Sequence, residues 1–303
     1  MADVHIHAID RQVHDILGES PVWSDGEQAL YWVDIRAPAL HRLDGRSGEA
    51  RSFAMPALVG AVLLDAQPGF VIVGLPDGLY RFGLATASLT LLLPLDRASP
   101  DIRVNDSRTH AGGGIVYSTM WDHGARRAGG IFLARTDRTG SLTSTPLATD
   151  MTVPNAICFS PDGGTLYFAD SAEGTIHAAR FTGNHIEAQA TYAPANAAPG
   201  KPDGATVDSE GFLWNARYGG GCLARFAPDG RLDRVISLPV SQPTSCAFGG
   251  PGLRTLFVTT ASQKLSDRQR AAEPLAGCLL ALDVGVSGLP EPSVPYVQER
   301  ARP

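Results

Sequence analysis

Charged residues, aromatic residues and long apolar runs are all scarce in this chain, and each shortage excludes a class of protein. Of its 303 residues, 18% are charged and 7% are aromatic, and the formal net charge is -6. A net negative chain without a basic run does not match a surface that binds nucleic acid or an anionic membrane. No uninterrupted apolar run approaches the ~20 residues of a transmembrane helix. A cation or a neutral polar ligand fits this composition better.

Cysteine is also rare, and its spacing is informative. The four cysteines are far apart, without a Cys-x-x-Cys pair, which disfavours a zinc cluster. The N-terminus lacks a basic start followed by an apolar core, so no signal peptide is expected. We therefore expect a cytoplasmic protein with reduced thiols. Neither a membrane nor an obligate protein partner is predicted.

Glycine and proline, by contrast, are abundant, with 33 and 22 residues. Many turns and few charges favour an all-β protein. The chain repeats a unit of roughly 40 to 50 residues, which contains an apolar strand, a glycine-containing turn, an aromatic-rich strand and a third, more polar strand. Six such units fill the chain. The repeat predicts a single all-β domain over residues 1–303, a six-bladed β-propeller with four-stranded antiparallel blades.

Two further elements are predicted outside the regular repeat. The segment from Val4 to Val13 is expected to add an outer strand to the last blade and so close the ring. One helix is predicted from Ser266 to about Ala276, with Ser266 as its N-cap.

One position of the repeat carries polar residues, about ten or eleven residues before the aromatic-rich strand that follows. The first strand of each propeller blade lines the central channel, so residues at equivalent positions are expected to form a ring around the axis. The six equivalent residues are Glu19, Gly60, Asn105, Asn155, Asp203 and Ser245. Asp203 stands out, because Glu210-Gly211 already supplies the turn before the next strand.

Two carboxylates and two amides crowded together would repel each other or remain unpaired, which a bound divalent cation would offset. Such oxygen donors suit Ca²⁺ first, and Mg²⁺, Mn²⁺, Zn²⁺ or Fe²⁺ are alternatives. The competing interpretation is that each Asn or Asp is a turn residue that bonds its own backbone.

Several motifs together carry a family resemblance. They include Leu17-Gly18-Glu19-Ser20-Pro21-Val22-Trp23, Arg103-Val104-Asn105-Asp106, Pro202-Asp203-Gly204 and Pro243-Thr244-Ser245. Over about residues 15 to 285 the chain resembles the regucalcin / gluconolactonase / luciferin-regenerating-enzyme family. The resemblance implies a propeller with one catalytic divalent metal that hydrolyses lactones, most often sugar lactones. It implies Glu19, Asn155 and Asp203 as metal ligands, Asp203 as the acid/base residue, and Arg103 and Asn105 as substrate-binding residues.

Trp121, Asp122 and His123 are predicted on a loop at the channel mouth, where they would contact the sugar. A solvent-exposed loop histidine is the alternative for His123, which stands where some family members carry an acid. Arg103 is predicted to donate two parallel hydrogen bonds to the substrate. The alternative for Arg103 is a salt bridge with Asp101 or Asp106.

The predicted reaction is hydrolysis of a sugar lactone to the aldonic acid by a gluconolactonase-like carboxylic ester hydrolase. A cation in the channel would polarise the lactone carbonyl, and Asp203 would accept and return a proton. The chain has no Gly-x-Ser-x-Gly elbow and no phosphate-binding glycine loop, which disfavours a serine hydrolase or a nucleotide cofactor. Two alternatives remain, a non-catalytic calcium-binding or interaction propeller and a hydrolase of other activated esters, such as organophosphates.

Overall fold

Six four-stranded antiparallel sheets make up almost all of the structure, a computed structural model that describes residues 4–11 and 13–295. The second strand of a sheet, such as Ala29–Asp34, is buried along its whole length. Because each sheet packs between two neighbouring sheets, such a strand is apolar on both faces and reads as a continuous apolar run. The outer strand Ala50–Ala54 lies at the perimeter and is mostly exposed.

The strands in the first half of the chain are short. They are β1 (Ile6–Ala8), β2 (Gly18–Ser24), β3 (Ala29–Asp34), β4 (Ala39–Asp44), β5 (Ala50–Ala54), β6 (Ala61–Leu64), β7 (Phe70–Leu75), β8 (Gly78–Gly83), β9 (Ser88–Pro94), β10 (Ile102–Thr109), β11 (Ile115–Trp121), β12 (Gly129–Thr136) and β13 (Leu142–Met151).

The second half continues the same pattern. Its strands are β14 (Pro154–Phe159), β15 (Thr165–Asp170), β16 (Ile176–Phe181), β17 (Ile186–Ala193), β18 (Lys201–Val207), β19 (Leu213–Tyr218), β20 (Cys222–Phe226), β21 (Leu232–Ser237), β22 (Pro243–Gly249), β23 (Thr255–Thr260) and β24 (Leu280–Asp283). A short 3₁₀ helix, Pro251–Leu253, lies between β22 and β23.

The sheets form a closed ring, because their first strands β2, β6, β10, β14, β18 and β22 contact each other in turn and β22 contacts β2. β1 completes the sixth sheet, whose order is β22-β23-β24-β1, with Ile6 paired to Leu282. The predicted six-bladed β-propeller with four-stranded blades is therefore confirmed. The closing strand predicted within Val4 to Val13 is also confirmed, although it is shorter, at Ile6–Ala8.

The helix α1 spans Asp267–Ala272 and is shorter than predicted. Ser266 is its N-cap, and Ser266 and Gln269 form a reciprocal capping box. The helix ends early because Glu273 precedes Pro274, and a residue before proline disfavours helical backbone. No helix within residues 4–11 and 13–295 is long and apolar enough to cross a bilayer.

The C-terminal part of the chain crosses one end of the central channel. Gly288 pairs with backbone just beyond the end of β18, and Val294 pairs just beyond the end of β6. Between them, Glu291 Oε2 lies 2.8 Å from Nη1 of Arg108, near the end of β10. The predicted metal ligands lie near the starts of their strands, and therefore at the opposite end of the channel.

The first strand of most blades has an irregular backbone beside the repeated position, which is occupied by Glu19 in the first blade. In five of the six, the pairing with the second strand shifts register there. The residues after two predicted ligands, Ser20 and Ala156, have left-handed backbone with φ of 52° and 59°. Such bulges redirect side chains, which is why they recur beside functional sites.

Gly60 is the exception at this position, and close packing explains it. A Cβ atom at Gly60 would lie 1.9 Å from the backbone oxygen of Val104 in the next blade. Backbone cannot move aside as a flexible side chain can, so the second blade offers no side chain to the axis.

We expect Gly60→Ala to lower the free energy of unfolding by about 1–3 kcal/mol, because the added methyl group overpacks the contact between two blades. Urea denaturation measures the change. Gly26→Ala is the matched control, since a Cβ there meets nothing within 4 Å. Equal stability of the two variants would contradict this account of Gly60.

Candidate functional site

A cavity of about 410 Å³ opens at the end of the channel where the first strands begin. Its size falls within the ~300–1,000 Å³ of small-molecule sites. Five of the predicted site residues line it, on β2, β10, β14 and β18. They are Glu19, Arg103, Asn105, Asn155 and Asp203. Residues separated by up to 184 positions, from 19 to 203, therefore share one cavity because the blades close into a ring.

The two acids of this set are electrostatically strained. Burial raises the pKa of Glu19 well above its ordinary value, and the nearby carboxylates of Asp203 and Asp106 raise it further. The pKa of Asp203 is likewise raised well above its ordinary value, first by burial and then by Asp106. Both shifts mean that negative charge is disfavoured at this end of the channel unless a cation offsets it.

The donor chemistry fits a hard divalent cation. Glu19 and Asp203 offer carboxylate oxygens and Asn155 offers an amide oxygen, the ligand types that Ca²⁺ prefers. Within the described part of the chain, no three His, Cys, Asp or Glu side chains cluster closely enough to hold a metal. The candidate set has only two acids, so an amide oxygen must complete it.

The side-chain amide of Asn155, which lines the cavity, is held in one orientation. Its Nδ2 donates to Oγ of Ser171 at 3.0 Å, and that hydroxyl donates its single proton to the carbonyl of Pro202 at 2.6 Å. Because Ser171 can then only accept from Asn155, the amide orientation is fixed. Ser171 lines the cavity, although no motif in the sequence identifies it.

Asn105 bridges two other residues of the site. Its Nδ2 donates to Oδ1 of Asn155 at 2.9 Å and to the carbonyl of Pro154 at 3.1 Å. Its Oδ1 accepts from Nη1 of Arg103 at 2.8 Å. Both amide hydrogens of Asn105 are therefore used in orienting its neighbours.

Arg103 is more fully engaged than the sequence suggests. Its Nε donates to Oδ1 of Asp122 at 2.6 Å, its Nη1 donates to Asn105 and to the carbonyl of Val104, and its Nη2 contacts the sulfur of Met120. At most one N–H remains for a substrate. The predicted pair of parallel hydrogen bonds would require these contacts to change.

The ion-pair partner of Arg103 is Asp122, not Asp101 or Asp106. Arg36 also donates to Asp122, through both Nη1 and Nη2 at 2.7 Å. The pKa of Asp122 is lowered because hydrogen bonds from Arg36 and Arg103 outweigh its burial. Two guanidinium groups therefore share one carboxylate on the wall of the cavity.

Trp121 and His123 lie outside this group, and the predicted loop position is wrong for Trp121, which is the last residue of β11 and pairs with Ile102. Trp121 Nε1 donates to the carbonyl of His123 at 3.1 Å, and Arg126 stacks 4.4 Å from the Trp121 ring. The side chain of His123 is 68% exposed and its Nε2 lies 3.4 Å from Asp101. Side chains alternate along a strand, so Met120 and Asp122 face the cavity while Trp121 does not.

Two buried aspartates hold the backbone just before two of the predicted metal ligands, Glu19 and Asn155. Asp34, at the end of β3, accepts from the backbone N–H groups of Ile16 and Leu17 at 2.7 and 3.1 Å. Asp170, at the end of β15, accepts in the same way from residues 152 and 153 at 2.7 and 3.0 Å. The sequence signal is an aspartate ending the aromatic-rich strand, at the same place in blades 1 and 4.

Comparisons with known proteins show the family and the fold of this chain. Residues 17–262 match the family model described as SMP-30/Gluconolactonase/LRE-like region. A 6-deoxy-6-sulfogluconolactonase of Pseudomonas putida is 35% identical over 279 residues, which cover 91% of this chain and 94% of that protein. An L-arabinolactonase of Azospirillum brasilense is 33% identical over 277 residues, which cover 90% of each chain.

A similar solved structure is that of a calcium-binding protein, regucalcin, from Agrobacterium tumefaciens. It matches with a TM-score of 0.89 and 31% identity, and the match covers 97% of both chains. The similarity therefore extends over almost the whole propeller.

In protein treated with chelator, we expect Glu19→Gln to raise the free energy of unfolding by about 1–3 kcal/mol at about pH 8, because it removes a buried charge beside Asp203. Above the ordinary carboxyl pKa range, Glu19 keeps its proton in the folded wild type but has lost it in the unfolded chain. The free energy of unfolding of the wild type therefore falls as the pH rises through that range. The advantage of the variant should therefore grow with pH.

Urea denaturation between about pH 5 and about pH 8 measures this difference. Glu49→Gln, at an exposed carboxylate whose partner Arg51 is also exposed, is the matched control. A Glu19→Gln variant that is no more stable than the wild type at the higher pH would contradict the repulsion.

Ser171→Ala is expected to weaken Ca²⁺ binding about tenfold, since it frees the amide of Asn155 to rotate. Calorimetric titration of chelator-treated protein measures the affinity. Ser47→Ala, in an exposed turn remote from the cavity, should bind as the wild type does. Unchanged affinity of Ser171→Ala would show that Ser171 does not position a ligand.

Proposed function

We propose that this chain, which belongs to the SMP-30/gluconolactonase/LRE-like family, is a metal-dependent lactonase that opens a sugar lactone to the aldonic acid. The single observation that carries the proposal is the pair of acids Glu19 and Asp203, buried together with amide oxygens in one cavity. A purely structural pair of this kind would destabilise the fold without performing any task.

Glu19, Asn155 and Asp203 would hold the cation, with Ca²⁺ as the first candidate. A divalent cation in this site would stabilise the negative charge that develops on the lactone carbonyl oxygen as water attacks. The similarity to a structure described as a calcium-binding protein supports this choice of ion.

Asp203 would move the proton. Water adds to the carbonyl carbon and gives a proton to the Asp203 carboxylate; the bond between that carbon and the ring oxygen then breaks, and the ring oxygen takes the proton. Atoms and charge balance without another reactant, and the product is the aldonic acid.

Arg103 and Asn105 would act mainly as a rigid wall for the substrate. Their hydrogen bonds to Asp122 and Asn155 keep both side chains fixed, and one N–H of Arg103 is left to bind a sugar oxygen. Trp121 and His123 would contribute only if the end of β11 and the loop after it moved, because neither side chain lines the cavity.

Two relatives of nearly equal identity are named for different sugars, a sulfogluconolactone and an arabinolactone. Their names therefore support a sugar lactone but do not select one. The second candidate function is a calcium-binding propeller without catalysis, which the similarity to regucalcin favours.

We expect Asp203→Asn and Asp203→Ala to lower kcat for lactone hydrolysis by at least about 100-fold, because the proton acceptor is lost. A pH-indicator assay with a panel of aldonolactones, with and without chelator, measures the rates. Asp101→Asn is the matched control, because Asp101 lies outside the cavity.

A fully active Asp203 variant would exclude its catalytic role. Hydrolysis that persists in chelator would exclude the metal. Failure to hydrolyse any lactone at saturating Ca²⁺, together with tight Ca²⁺ binding, would favour the non-catalytic alternative.

A further inference from the structure

The chain contains only two lysines, Lys201 and Lys264, against 23 arginines among its 25 basic residues. Both lysines line the same cavity as the candidate metal ligands, although they lie in different blades. An ammonium group is a compact charge that offers three hydrogen-bond donors, and it suits anionic oxygens approaching from several directions. The two lysines are therefore a candidate ligand site at the mouth of the cavity.

Lys201 follows a segment whose backbone carbonyls are held by hydrogen bonds. Arg217, which is 1% exposed, donates to the carbonyls of Ala198, Pro199 and Gly200 at 2.9–3.0 Å. Lys201 follows directly as the first residue of β18, and its Nζ lies 3.2 Å from the carbonyl of Ala172. A buried arginine thus holds three consecutive carbonyls immediately before this lysine.

Lys264, which also lines the cavity, follows a backbone segment that is hydrogen-bonded to other parts of the chain. The N–H groups of Ser262 and Gln263 donate to the carbonyl of Ile16 at 3.1 and 2.9 Å. Gln242 Nε2 donates to the carbonyl of Gln263 at 3.0 Å. The loop that presents Lys264 is therefore tied to two other segments of the chain.

The cavity keeps an excess of positive charge. Arg36 and Arg103 share the one carboxylate of Asp122, so one of their two charges is left over. Lys201 and Lys264 form no ion pair with the described residues, and they add two more charges. A divalent cation would be balanced by the two acids that hold it, and the nearby buried carboxylate of Asp106 would offset part of the remaining positive charge. The mouth is thus cationic although the whole chain carries a net charge of -6.

We propose, on the basis of the lactonase function above, that the substrate is a sugar lactone with an anionic oxyacid group on its exocyclic carbon. The lactone carbonyl would lie deep in the cavity beside Glu19 and Asp203, and the anionic group would lie at the mouth between Lys201 and Lys264. A neutral sugar would make no use of the net positive charge that these side chains give the mouth. An anionic lactone would differ from the cation or neutral polar ligand that the overall composition favours.

The test compares three lactones that differ only at the exocyclic carbon: D-glucono-1,5-lactone, its 6-phosphate and its 6-deoxy-6-sulfo analogue. With Ca²⁺-loaded protein, kcat/KM above spontaneous hydrolysis should be at least about tenfold higher for one or both anionic lactones. The phosphate and sulfonate arms distinguish which oxyacid is preferred. Added NaCl should reduce the rate for the anionic lactones alone.

Lys201→Gln and Lys264→Gln should each lower kcat/KM for the preferred anionic lactone about tenfold, mainly through KM, and leave the neutral lactone within about twofold. Lys201→Arg should keep most of the preference, because it keeps the charge. Arg254→Gln, which removes an exposed charge outside the cavity, is the matched control.

Equal use of neutral and anionic lactones, or equal losses on both in the lysine variants, would overturn the proposal and leave the lactonase function standing. If no lactone is hydrolysed, the proposed function fails, and calorimetric binding of 6-phospho-D-gluconate then decides the anion site. The proposed anion site would be supported if both lysine variants bind 6-phospho-D-gluconate more weakly than the wild type does. Absence of binding to the wild type would overturn it.

Discussion

Closing six blades into a ring forces two acidic side chains into one buried space, and the rest of the site depends on that constraint. Glu19 and Asp203 are contributed by β2 and β18, which are separated in the ring by β22. Burial raises the pKa of both carboxyl groups, and neighbouring carboxylates raise it further. A fold tolerates such an arrangement only where a proton or a cation offsets the charge. The same strain would be relieved by the cation proposed for this site.

A continuous hydrogen-bonded framework keeps the ligand groups in place across three blades. Arg103 holds Asn105, Asn105 holds Asn155, and Asn155 is held in turn by Ser171, which donates to the carbonyl of Pro202 next to Asp203. Because every link joins groups with few remaining hydrogen-bonding options, the amides cannot turn without breaking a neighbouring bond. This rigidity is what a site needs if it is to stabilise charge without reorganising.

The blade count and the first-strand positions follow from the sequence because a repeat places equivalent residues around one axis. Glu19 and Asp203 could thus be found by counting along the chain. Ser171 could not, since its role depends on a hydrogen bond between adjacent blades. The sequence does not separate Asp122, which lines the cavity, from Trp121, which does not, because a difference of one residue reverses the direction of a strand side chain and the period of the repeat does not fix that register.

The two ends of the channel carry different charged residues. At the far end the C-terminal segment lies across the opening, and Glu291 pairs with Arg108. The candidate metal ligands line the cavity at the other end, together with Lys201 and Lys264. Exposed charges farther apart than the Debye length of ~8–10 Å are largely screened from each other. A negative net charge of the whole chain is thus compatible with the proposed recognition of an anionic lactone by the cations of this cavity.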